Sequence, residues 1–332
     1  SLSALADGIR DVGRAPIILL CVYVVTLFTA LPFTALMRGS IASHLGNSLA
    51  ADEAARGFNY RWLIEYQSQA GELGRTLRTT VIGFAAVLDN LSALIDNETR
   101  PASIVWIGAA YLLLWLYLTG GIIDRYARNR PTRSHEFFTA CGVYFVRFLR
   151  LAPLIAAAYF VLFAYVHPFL FNGVYSTLTR DVTAERTAFF YRLALYALFG
   201  VMLIAVNVTF DYAKVRAVVE DRRSMIGAVL AGVRFIRRNL PTVVSLYVIN
   251  GLMVLVVLFV YAVVAPGIGG TAPRLWLGFL VSQIYLLGRL WVRLVFFASE
   301  TSLFQATLSY VGYVASPAAP IPEPPIVEKL AG

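Results

Sequence analysis

Six long apolar stretches, at about residues 16–37, 103–123, 153–171, 189–210, 241–264 and 275–297, set the terms for the rest of this chain. At 1.5 Å of helical rise per residue, each can cross a hydrocarbon core about 30 Å thick. Within a bilayer every backbone N–H and C=O must find a partner inside the protein, so isolated spans of this kind are helices. The expected fold class is therefore all-α, a polytopic membrane protein with six transmembrane helices. A composition of 59% hydrophobic and 14% charged residues excludes an ordinary soluble domain. The formal net charge of +9 raises the question of nucleic acid. The cations flank apolar runs instead of forming one basic face, so no nucleic-acid partner is expected.

Two basic stretches between the spans echo each other. Ser224 is followed eight residues on by Gly232-Val233-Arg234-Phe235-Ile236-Arg237, and Pro241 then opens an apolar run. Ser134 is followed eight residues on by Gly142-Val143-Tyr144-Phe145-Val146-Arg147, and Pro153 opens the next run. Upstream, Asp124-Arg125-Tyr126-Ala127 and Asp211-Tyr212-Ala213-Lys214 each close a span. The unit reads as span, charged exit, Ser-started amphipathic interfacial helix and Pro-started span. It implies an internal repeat of two helical hairpins facing the same side.

Charge counts orient the chain. The side bearing both basic units holds 18 of the 28 Lys and Arg residues and 10 of the 19 Asp and Glu. Cations close to span ends favour the cytoplasm, which places both units and both termini there in a bacterial inner (plasma) membrane. Residues 1–314 form the six-span domain, with a periplasmic helical insertion at 38–102. Within the insertion, residues 79–95 have helical apolar spacing broken by Asp89 and Asn90, and read as a helix lying on the membrane surface. Residues 1–14 read as short and polar, and 299–314 as another surface helix. The C-terminal tail, 315–332, carries Pro317, Pro320, Pro322, Pro324 and Pro325, and favours polyproline II.

Little in the chain suggests catalysis. His44, His135 and His167 stand far apart without a second His or Cys at metal-ligand spacing, and Cys21 and Cys141 both lie in apolar runs. His167 alone could serve as an axial ligand, although a hydrogen-bonded interfacial histidine explains it more simply. No phosphate-binding, zinc-protease or nucleophile-elbow motif is present, so no enzyme activity and no cofactor are expected. The aromatics crowding spans two and three, such as Trp106, Trp115 and Tyr159, suit lipid, a hydrophobic partner, or bound pigment or quinone. Arg289 and Arg293 are four apart near the end of span six, either anchoring it by snorkelling or offering guanidinium donors to an anionic lipid or a partner carboxylate. Arg234, Arg237 and Arg238 cluster at the end of one amphipathic helix, with Arg147 and Arg150 the counterparts in the other. Ala228 with Gly232, and Gly227 with Ala231, are spaced for close helix approach. Asn207, Asn250 and Gln283 are expected to hydrogen-bond between spans. No acidic residue falls mid-span, which argues against a proton- or sodium-coupled transporter.

Over residues 211–239 the pattern of span, charged exit, Gly- and aromatic-bearing helix and basic close resembles a group of uncharacterised six-span bacterial inner-membrane proteins. It includes the membrane domain fused to some glycerophosphodiester phosphodiesterases. The phosphodiesterase domain is absent, so the resemblance implies a membrane fold and no activity. The expected function is that of a non-catalytic accessory or scaffold subunit of a larger membrane complex, in contact with anionic headgroups of the cytoplasmic leaflet. The alternative is a permease or lipid-handling protein.

Overall fold

A computed structural model describes residues 1–56, 59–77, 84–99, 102–129, 133–265 and 272–310. All regular structure among them is helical: α1 Leu2–Arg14, α2 Pro16–Leu45, α3 Ala51–Arg56, α4 Tyr60–Gln69, α5 Phe84–Ile95, α6 Ala102–Arg128, α7 Ser134–Val161, α8 Tyr175–Thr179, α9 Glu185–Val219, α10 Met225–Arg238, α11 Leu240–Val264 and α12 Ala272–Tyr310. Two π-helical turns, Leu162–Val166 and Phe169–Val174, join α7 to α8. Six helical rods in this set are long and apolar enough to cross a membrane, as in a multi-pass membrane protein. The proline-rich tail lies outside the described residues.

The two basic units share a local design. Both α6 and α9 run out into a residue in the left-handed region, Asn129 at φ 45° and Asp221 at φ 50°, residue types that tolerate that conformation. A serine-started helix then turns back against the preceding span. The units diverge at their prolines. In the second, the Asn239 side chain donates to the Phe235 carbonyl at 3.1 Å and closes α10, so α11 starts separately with Pro241 in its first turn. In the first, α7 passes through Pro153 without a break. Pro153 therefore does not open a new helix as its counterpart does. The N-terminal half of α7 is clasped against α6, where an added Cβ at Gly120 or Gly121 would collide with Tyr144 or Cys141.

Packing is concentrated at the end of the bundle that carries these arginine-rich units. Ile122, Cys141, Phe148, Tyr212, Val215, Leu246, Leu294 and Phe304 are fully buried there in one cluster. The opposite halves of the spans are far less engaged. Only 11% of the apolar stretch of α2 and 17% of that of α11 is buried within the chain. At that opposite end, α2 continues to Leu45 and meets α4. Trp62 stacks on Tyr66 and donates to His44 Nδ1 at 3.1 Å, while Ser40 and Tyr66 share a 2.8 Å hydrogen bond. Helix α5 has twelve residues, about 18 Å, too short to cross. Residues 78–83, which include the start of the expected surface helix, lie outside the described set.

Two segments differ from expectation. Residues 1–14 are not merely a polar lead-in, since α1 runs along α12 with Ala4, Gly8 and Val12 buried between them. Residues 299–310 are not a separate surface helix either. No Gly or Pro interrupts the chain from 289 to 310, so α12 continues, and Ser299, Glu300, Thr301, Leu303 and Phe304 are buried under α1, α9 and α10. Gly8 sets the distance between α1 and α12, because a Cβ there would lie 2.8 Å from the Ser299 backbone nitrogen.

Backbone cannot retreat as a flexible side chain can. Gly8→Ala is expected to lower detergent-phase stability by about 1–3 kcal/mol through overpacking. Gly13→Ala, with nothing within 4 Å of the added methyl, should be neutral or gain up to about 1 kcal/mol of helix propensity. Thermal melts of the two variants beside the parent check the contrast.

Candidate functional site

Helix α10 begins where the Ser224 hydroxyl accepts the Gly227 N–H at 3.2 Å, a side-chain cap that satisfies one of the free amides of the first turn. Met225, Ala228, Ala231, Gly232 and Phe235 then make one face, buried mainly against α9. The small residues do allow close approach: a Cβ at Gly232 would sit 3.4 Å from the Ala213 nitrogen, in contact with the α9 backbone. The outward face shows Ile226 at 64% and Leu230 at 55% exposure, so α10 presents apolar surface away from the bundle as well. At its C-terminal end Arg234, Arg237 and Arg238 are exposed, and none has an ion-pair partner among the described residues.

Between α10, the end of α9 and the end of α12 lies a cleft of about 690 Å³. Arg216, Arg222, Arg234 and Arg238 line it, with Leu230, Phe235, Phe304 and Leu308 as its apolar part. Glu220 sits between two of these arginines, accepting from Arg216 at 2.7 Å and also from Arg222. Arg216 is further fixed by donating to the Ala231 carbonyl at 2.7 Å and by lying 5.4 Å from the Phe304 ring. Among the described residues the cleft is thus lined by four arginines, two of which are committed to Glu220 beside it.

The remaining arginines singled out from the sequence do not join it. Arg147 pairs with Asp221 and lies 5.1 Å over the Tyr144 ring, tying the first basic unit to the turn of the second. Arg150 is exposed. Arg289 and Arg293 part company: Arg289 is exposed, whereas the Arg293 guanidinium stands 3.7 Å over the buried Trp115 ring, joining α12 to α6. A desolvated cation on an indole face is worth about 2 kcal/mol. Arg289 and Arg293 therefore differ in surroundings although they are four residues apart on one helix.

A second group of polar residues is enclosed by the bundle. The Tyr247 hydroxyl on α11 donates to Asp211 Oδ2 on α9 at 2.7 Å, and Lys214 reaches Asp211 Oδ1 at 2.7 Å. Glu300 on α12 is fully buried beside Tyr247, Asp211 and Lys214. Next to it Ser299 accepts from Asn250 Nδ2 at 3.0 Å, and the Asn250 carbonyl oxygen has no partner among the described residues. Asp211 and Glu300 look like span exits in the sequence, yet both lie within continuous helices and inside the packed region. The three neutral polar residues behave as their positions suggest. Asn207 accepts from Tyr159 at 2.8 Å, Gln283 accepts from Tyr23 at 3.0 Å, and Asn250 bonds Ser299.

His167 lies at the far end from the cleft. Its Nε2 is 3.0 Å from the Ile95 carbonyl, and its ring packs on Phe171 and Phe199, fastening α5 to α9 and the π-helical stretch. Asp96 extends the same junction. The hydrogen bond from Tyr196 holds its carboxyl below the usual carboxylate range, with Ser92 and the Arg192 charge adding to the effect and partial burial opposing it. A carboxyl depressed on folding stabilises fully above its unfolded value near 3.9 and loses that contribution as pH falls through the folded value. Tyr196→Phe is expected to raise the pH at which protection of residues 84–99 fails on acidification, measured by hydrogen exchange across pH 2 to 6. An unchanged acid limb would contradict this.

Protein-family models, curated proteins and solved structures contain no match to this chain.

Proposed function

We propose that this protein is a non-catalytic accessory or scaffold subunit of a larger membrane complex. The observation that supports it best is the lopsided packing: one end of the bundle is dense, while α2 and α11 keep most of their apolar length unpaired within the chain. Lipid tails are as apolar as leucine, so spans associate through close packing and polar contacts more than through hydrophobic transfer. The loosely joined halves leave helix surface on which another membrane protein can pack. The excess of Lys and Arg beside the basic units supports a bacterial inner membrane with both termini in the cytoplasm. The resemblance of residues 211–239 to six-span bacterial proteins agrees with that location. A second reading, lipid handling, is favoured by the arginine-lined cleft.

Extraction in a mild detergent followed by light-scattering mass measurement tests the main reading. The expected result is a stoichiometric assembly with a second membrane protein, whose removal lowers the melting temperature. A monodisperse 36.6 kDa chain that melts no lower after stringent washing contradicts it.

A further inference from the structure

We infer that the cleft between α9, α10 and α12 holds the phosphodiester headgroup of an anionic phospholipid, clamped by Arg234 and Arg238. This does not depend on the accessory-subunit reading.

The two residues are one helical turn apart on α10, and so project from one face of it. Neither has a carboxylate partner among the described residues, whereas Arg216 and Arg222 share Glu220. The carboxylate supply of the cleft is therefore spent, and two guanidiniums remain with their donors uncommitted to an ion pair. Guanidinium forks match the oxygens of a phosphate, and charge-assisted bonds of this type are the strong ones. The volume, about 690 Å³, suits a headgroup with the first part of its glycerol and acyl chains.

The surroundings specify a lipid instead of a free anion. Phe304 and Leu308 give the cleft an apolar side, and the exposed Leu230 continues it along the outer face of α10. A soluble phosphate has no use for that surface, whereas acyl chains do. The cleft also sits at the arginine-rich end of rods long enough to span a bilayer, where α9 gives way to α10 and headgroups are the nearest anions.

The test uses the full chain in detergent micelles, with lipid binding counted by native mass spectrometry during titration with phosphatidylglycerol or phosphatidylcholine. The parent should bind phosphatidylglycerol in preference. The R234Q/R238Q variant should weaken that binding about tenfold or more, while phosphatidylcholine binding stays as it was. R150Q/R289Q removes two exposed arginines outside the cleft and should leave phosphatidylglycerol affinity within about twofold. An equal loss in both double variants would mean diffuse charge attraction and would overturn the inference. So would unchanged binding in R234Q/R238Q, provided its melting curve matches the parent. Displacement of phosphatidylglycerol by millimolar inorganic phosphate would assign the cleft to a free anion and also overturn it.

Discussion

Asp211 is where the bundle is joined. It takes the Tyr247 hydroxyl from α11, neutralises Lys214 on its own helix, and faces Glu300 on α12. In water such a knot would be secondary to hydrophobic burial. Among spans in hydrocarbon the order changes, because burying leucine against leucine instead of lipid gains little. Directional contacts and close backbone approach then decide which helices associate. This protein uses both: the Asp211 group links α9 to α11, while Gly8 lets α1 close on α12 and Gly120-Gly121 let α6 close on α7. A buried carboxyl such as Glu300 costs several kcal/mol when charged, and the polar groups beside it make its burial tolerable.

From that knot the rest of the architecture follows outward. Helices α1, α2, α6, α7, α9, α10, α11 and α12 all contribute side chains to the one buried apolar cluster at this end of the bundle. Beyond it the spans are joined by polar links such as Tyr159 to Asn207 and Tyr23 to Gln283, by the small aromatic core of His44, Trp62 and Tyr66, and by the cluster of Leu162, Leu170, Leu195 and Phe199 beside His167. The arginine-lined cleft is a by-product of the same convergence. The last turns of α9, the turn after it and the end of α12 bring Arg216, Arg222 and Phe304 to the foot of α10, whose own arginines complete it.

The fold class was legible because apolar length is a strong signal, and six spans appear where hydropathy places them. Asn207, Asn250 and Gln283 were legible too, since a polar side chain in a span has few alternatives to an interhelical bond. The cleft was only half legible. Arg234 and Arg238 stood out as a cluster, whereas Arg216 comes from α9 and Arg222 from the turn after it, and the i,i+4 spacing of Arg216 and Glu220 was the local mark there. Glu300 was missed because Ser299-Glu300-Thr301 reads as polar and hence as an exit from the membrane. Its burial depends on α1, whose own cue was the spacing of Ala4, Gly8 and Val12 by four. Charge counting reports which loops are basic, and it is silent on which charged residues fold inward.

A double-mutant cycle between Asp211 and Tyr247 reaches the knot most directly. Stabilities of the parent, D211A, Y247F and the double variant would be taken from reversible unfolding in mixed micelles. A coupling of about 1 kcal/mol or more is predicted, since the two side chains share one enclosed hydrogen bond between α9 and α11. Additivity within about 0.3 kcal/mol would contradict it and remove Asp211 from the centre of this fold.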